Sequence, residues 1–151
     1  MTARVLITDP IAADGVQVLE QHLQVDTRIG LKGQELLDAL PDYDALIVRS
    51  ETRVTADVIR AGTKLQIIGR AGVGVDNIDV NAATERGIVV VNAPTGNTIS
   101  AAELAFGLML SMARNIPQAH GSLKQGQWRR NDFVGMEVRN KTLGVIGLGR
   151  V

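Results

Sequence analysis

The sequence contains no cysteine, and only 3% of its 151 residues are aromatic. Without a thiol there is no cysteine nucleophile, no Cys-x-x-Cys redox pair, no disulfide framework and no thiolate zinc site. An excess of charge of one sign is lacking as well: 16 Lys and Arg balance 16 Asp and Glu, for a formal net charge of zero. Such a chain has no electrostatic footprint for nucleic acid or an anionic membrane surface. Long hydrophobic runs are also missing. The greasiest stretch, Leu104 to Met112, falls well short of the ~20 residues that a bilayer-spanning helix needs. Val5 to Ile7 is too short for the apolar segment of a signal peptide. These features predict a cytoplasmic protein with no nucleic-acid or membrane partner and no metal site.

What is present is a globular composition, 45% hydrophobic with 16 glycines, enough for one domain or one domain and part of another. Short apolar runs recur at Val5–Ile7, Ala45–Val48, Leu65–Ile68 and Ile88–Val91, with a more polar candidate at Val25–Ile29 suited to a sheet edge. Continuous rather than alternating hydrophobicity marks strands buried on both faces, the habit of parallel sheets. The spacers at 11–23, 34–40, 55–62 and 79–86 have helical length and periodicity. Alternating strands and helices predict an α/β fold with a doubly wound parallel sheet.

A second region follows the punctuating run Ala93-Pro94-Thr95-Gly96-Asn97, which reads as a hinge or crossover. Ser100 with Glu103 fits a capping box, and Ile99 with Leu104 a hydrophobic staple. The helix so started, Ala101 to Ala113, is apolar on nearly every face. That pattern predicts burial all round, either between domains or subunits or as an ordinary core helix. Pro117 can begin another helix, to about Gln125. A last strand is expected at Thr142–Ile146. A parallel strand with no crossover helix after it is an unfinished βαβ unit, so the chain reads as a fragment.

Three strand ends carry candidate chemistry. Gly147-Leu148-Gly149-Arg150-Val151 begins the dinucleotide fingerprint, whose first glycine permits a tight turn and whose second admits a pyrophosphate to the backbone. Arg49-Ser50 follows Ala45–Val48, and an arginine at a strand's carboxyl end can grip phosphate or carboxylate bidentately. Gly69 to Asn77 places three glycines among six residues after another strand, a backbone able to present N–H groups to an anion. Each has a structural alternative: a Gly-rich turn, an exposed strand-end arginine, a turn before a helix. Arg129-Arg130 reads either as a solvated basic turn or as an anion ligand for a neighbouring site. His22 and His120 lie on surface helices with no partner motif.

Taken together, these blocks resemble the NAD-dependent D-isomer-specific 2-hydroxyacid dehydrogenases along essentially the whole chain. The match rests on Leu46–Ser50, Gly69–Asn77, Val91–Asn97, Ser100–Leu104 and Gly144–Val151. The resemblance implies a flavodoxin-like substrate domain over 1–98 and the start of a Rossmann NAD-binding domain over 99–151. It implies that Arg49, with Ser50 beside it, holds a substrate phosphate. It gives the backbone of Val73 and Gly74 to the substrate carboxylate, and Val73 also to the nicotinamide end of NAD. Asn97 would line the cleft at the hinge. Arg130, next to Arg129, would reach a partner subunit's phosphate. Gly147, Gly149, Arg150 and Val151 would cradle the pyrophosphate. The helix at 100–114 would pack in a homodimer or homotetramer.

The reaction implied is NAD-dependent oxidation of 3-phosphoglycerate to 3-phosphohydroxypyruvate, the entry to serine synthesis. The family's histidine, glutamate and carboxylate-clamping arginine lie beyond Val151, so no catalytic residue is assigned here and the fragment is expected to be inactive alone. Two alternatives stay open at this point: another 2-hydroxyacid specificity, such as glyoxylate or hydroxypyruvate reduction, and a non-catalytic dimerising module.

Overall fold

The computed structural model describes residues 2–149. The chain divides into two compact units, Met1–Gly96 and Asn97–Val151.

The first unit is built on strands β1 (Arg4–Ile7), β2 (Gln24–Thr27), β3 (Ala45–Val48), β4 (Ile67–Arg70) and β5 (Val89–Asn92). They alternate with helices α1 (Ala13–Glu20), α2 (Gly33–Ala39), α3 (Ala56–Ala61) and α4 (Val80–Glu85). Every pairing is parallel, in the order β2-β1-β3-β4-β5, as strands joined by helical crossovers require. This is the flavodoxin-like order, in which the winding reverses between β1 and β3. The apolar runs bury their side chains: Leu6, Leu46, Val48, Ile59 and Ile68 have no exposed surface. Polar β2 lies at one edge as its sequence predicts, and β5 at the other leaves Val89 and Val91 exposed. Thr55 caps α3 by accepting from the Val58 N–H, and Asp79 caps α4 by accepting from the Ala82 N–H, satisfying orphan donors of each first turn.

The ladder shifts two strands relative to the apolar runs. Pairing with β3 carries β4 to Arg70, two residues beyond the expected end. Leu65 instead sits in a turn, its N–H donating to Gly62 O at 3.0 Å, and packs in the core. Likewise β5 starts at Val89, leaving Ile88 as a buried residue that precedes it.

The second unit contains α5 (Thr98–Ala113) and α6 (Ile116–Lys124), followed by a short 3-10 turn at Arg130–Phe133. Two expectations are corrected here, and one of the alternatives left open for α5, an ordinary core helix, is not met. The capping box fails because α5 starts at Thr98, with Asn97 as its flanking residue. Ser100 is therefore inside the helix, and its hydroxyl donates back to Asn97 O at 3.1 Å. No residue of α5 is buried, and Met112 leaves 77% of its surface open. Its packing partner in the unit is the shorter α6, which cannot cover an apolar surface extending round the helix. Thr142–Ile146 forms no strand, since a parallel strand exists only through neighbours to pair with, and among the described residues none follows β5.

Candidate functional site

Parallel strands put all their carboxyl ends on one edge of the sheet, and open α/β sheets bind ligands there, at the point where winding reverses. In the first unit that edge carries Thr8-Asp9 after β1, Arg49-Ser50 after β3, the glycine loop after β4, and Asn92 at the end of β5.

The turn after β3 is wrapped around a buried carboxylate. Asp9, 1% exposed, accepts three backbone N–H groups on Oδ2: Arg49 at 2.6 Å, Thr52 at 3.1 Å and Glu51 at 3.2 Å. Its Oδ1 accepts the hydroxyl of buried Thr52, which lies 3.0 Å from the Thr8 hydroxyl. Burial pushes the Asp9 carboxyl up, but the Thr52 hydroxyl and the Thr52, Arg49 and Glu51 amides outweigh it, holding the group below its ordinary value. From the other side, Asn77 Nδ2 donates to Arg49 O and Thr52 O, each at 2.7 Å. The segment continues into a parallel bridge between Val54 and Ile78.

Arg49 thus has a fixed backbone and an exposed side chain. Its Nη1 reaches Pro10 O at 3.3 Å, and among the described residues no carboxylate lies within ion-pair distance of it. Ser50 is exposed beside it and lines a cavity of about 440 Å³ together with Asp76 and Asn77 of the glycine loop.

The loop after β4 is tied down on both flanks. Ala71 N–H donates to Val48 O at 2.8 Å, Ala93 N–H to Gly72 O at 2.9 Å, and Asn92 Nδ2 to Val73 O at 2.5 Å. Among the described residues, neither Val73 nor Gly74 donates its own N–H to anything, so two adjacent donors stay available to an anion. The Arg70 guanidinium lies over Gly72, where a Cβ would require that side chain to move aside. The Nε of Arg70 is buried and has no hydrogen-bond partner among the described residues.

A second charged cluster near the amino ends of the strands contrasts with this edge. Asp26 accepts from Tyr43 Oη and Arg4 Nη2, both at 2.8 Å, and Arg4 lies 4.6 Å from the Tyr43 ring centroid. The Tyr43 hydroxyl and Arg4 hold the Asp26 carboxyl below its usual range. Its charges are mutually paired, which marks it as structural.

The remaining sequence candidates belong to the second unit. Asn97 flanks α5 and is exposed. Arg130 opens the 3-10 turn and is exposed, while its neighbour Arg129 pairs with Asp132 at 2.6 Å. Gly147 adopts φ +99°, a conformation other residues rarely accept. Gly149 is exposed with open space where a Cβ would stand. Arg150 and Val151 lie outside the described residues. Sequence reasoning missed Asp9 and, within the Gly69–Asn77 block, gave no role to Arg70 or Asn77. For Asp9 a signal existed, since Thr8-Asp9 puts polar groups at the carboxyl end of an apolar strand.

Residues 5–143 match the D-isomer specific 2-hydroxyacid dehydrogenase catalytic domain. The chain belongs to this family. The D-3-phosphoglycerate dehydrogenase of Methanocaldococcus jannaschii is 58% identical over 148 residues, covering 98% of this chain and 28% of that protein. The chain therefore spans little more than a quarter of the length of such curated relatives. Among solved structures, the TT0316 protein of Thermus thermophilus superposes with a TM-score of 0.86 at 33% identity, over 97% of this chain and 49% of that one. The NAD+-bound 3-phosphoglycerate dehydrogenase of Entamoeba histolytica gives 0.68 at 33% identity, over 76% and 40%. Among the described residues no helix is long and apolar enough to cross a membrane.

Proposed function

We propose that the whole protein containing this chain oxidises 3-phosphoglycerate to 3-phosphohydroxypyruvate. The observation that carries the reading is the Arg49 turn: a hydrogen-bonded backbone presenting a cation that, among the described residues, no carboxylate pairs with, beside a loop where two N–H donors have no acceptor among those residues. Arg49 and Ser50 take the phosphate. The N–H groups of Val73 and Gly74 take the carboxylate, so the substrate is held by its two charged ends. When bound, NAD would supply the hydride acceptor; Val73 would hold its nicotinamide end and Gly147, Gly149, Arg150 and Val151 its pyrophosphate. Asn97 contacts substrate, and Arg130 of one subunit reaches the phosphate held by its partner. The hydroxyl proton passes to a base that is none of these residues, so this chain alone forms no NADH. Residues 1–98 serve as the substrate domain and 99–151 as the beginning of the cofactor domain. The exposed apolar surface of α5 supports pairing of two copies through residues 100–114, in a dimer or tetramer. The reading carries a cytoplasmic location with it.

The test is NADH formation from 3-phosphoglycerate by the whole protein. In that protein Arg49→Ala should raise KM for the phosphorylated substrate by about 10–100-fold, the worth of a charge-assisted hydrogen bond, and leave glyoxylate reduction nearly unchanged. Equal losses on both substrates would remove Arg49 from the phosphate.

A further inference from the structure

Arg49 is held in an unusual way. Its own backbone N–H and C=O are both taken by side chains from elsewhere in the chain, rather than by the sheet ladder. Asp9 arrives from the end of β1 and takes the N–H at 2.6 Å; Asn77 arrives from the loop after β4 and gives its amide to the C=O at 2.7 Å. The same two side chains grip Thr52, which closes the turn: its N–H donates to Asp9 at 3.1 Å and its C=O accepts from Asn77 at 2.7 Å. A carboxylate has only acceptors and can collect three N–H donors on one oxygen, whereas an amide nitrogen has two donors and meets two carbonyls. Each residue type matches the face of the turn it holds.

We infer that Asp9 and Asn77 are positioning residues for Arg49, fixing from opposite sides the turn that aims its guanidinium and Ser50 at the ligand. The inference rests on the reading of Arg49 as the phosphate-holding residue and adds the machinery that makes it selective. An exposed arginine on a free turn samples many directions and loses entropy on binding; one on a clamped turn loses less. Asp9 is buried, and the Asn77 amide nitrogen is already spent on two carbonyls, so both act on a ligand through the turn. They act on how well the phosphate is held and leave the hydride step alone.

Two measurements on the whole protein test this. The first is amide hydrogen exchange without substrate. The Arg49, Glu51 and Thr52 amides should be protected like strand amides and lose that protection in Asp9→Ala. Rapid exchange of these three amides in the wild-type protein would show that the clamp does not exist, whatever the substrate is.

The second is kinetic. Asn77→Ala should raise KM for 3-phosphoglycerate about tenfold, as expected for two lost hydrogen bonds, with kcat within about twofold of wild type. KM for glyoxylate should stay put. Combined with Arg49→Ala the effect should be absorbed rather than added, because residues acting through one another are not additive. Asp9→Asn, which keeps an acceptor for the amides, should fall between wild type and Asp9→Ala. If Asp9→Ala does not fold, Asp9→Asn and Asn77→Ala carry the test. Ile59→Val, a core change outside the site, should lower stability without moving KM.

Additive losses, or equal changes in KM for phosphorylated and unphosphorylated substrates, would make the clamp purely structural and overturn the inference. A wild-type protein inactive on 3-phosphoglycerate but with all three amides protected would instead refute the substrate reading and leave the clamp standing.

Discussion

Leu46 and Leu108 are the same side chain in two circumstances. Leu46, in β3, has no exposed surface; Leu108, in α5, leaves 61% of its surface open. The first unit interleaves strands and helices so that each apolar run meets another, and Leu6, Leu46, Ile59 and Ile68 share one core. The second unit sets its long apolar helix against the shorter α6 and, at its end, the Met136 N–H on Ala113 O, and among the described residues most of its large apolar side chains stay exposed. Periodicity told these apart only halfway. It marked both as surfaces that need covering, but burial depends on what is there to cover them.

The largest expected effect separates the two directly. Leu46→Ala should cost about 2–5 kcal/mol in urea unfolding of the whole protein, the usual range for a core leucine. If a second copy covers α5 as proposed, Leu108→Ala should cost an amount that falls as the protein is diluted. Equal, concentration-independent losses would erase the distinction.

Next in size is self-association. Leu104→Glu together with Leu108→Glu should weaken it by at least about tenfold in sedimentation, since buried unpaired charges cost well over 1 kcal/mol. Unchanged sedimentation would move any subunit contact away from α5.

The smallest effect sharpens the first unit alone. Folded Asp9 titrates below its ordinary value, so the unfolded chain binds the proton more readily. Its contribution to stability is complete above an unfolded value of about 3.9 and is lost as pH falls through the folded one. Asp9→Asn should flatten that acid limb. An acid limb identical to wild type would mean the carboxylate is not held by the turn.

Much of the fold was legible because the strands are buried on both faces and therefore read as short, unbroken apolar runs. The placement of β4 was not, because Leu65 is as apolar as any strand residue and only pairing with β3 carries the strand on to Arg70. Ser100 and Glu103 matched a cap in spacing, yet Thr98 and Ile99 had already joined the helix. At the site, the strand-end rule pointed to Arg49 and the glycine loop, and the structure puts both on one sheet edge. The roles of Asp9 and Asn77 escaped notice because their partners are backbone groups 40 and 28 residues away. A backbone group leaves no residue type to recognise.

That separation also has a consequence for the order in which the molecule takes shape. A short-range turn can form as soon as its residues leave the coil, but the turn at Arg49 has its keystone, Asp9, just after β1. Joining residues so far apart carries a loop-closure cost before any contact rewards it. The turn should therefore gain protection only after β1 and β3 have paired, making the amides of Arg49 and Thr52 late reporters in a refolding experiment. A chain whose sheet is incomplete would then present an arginine with no fixed aim, and selectivity for its ligand would be the last property acquired.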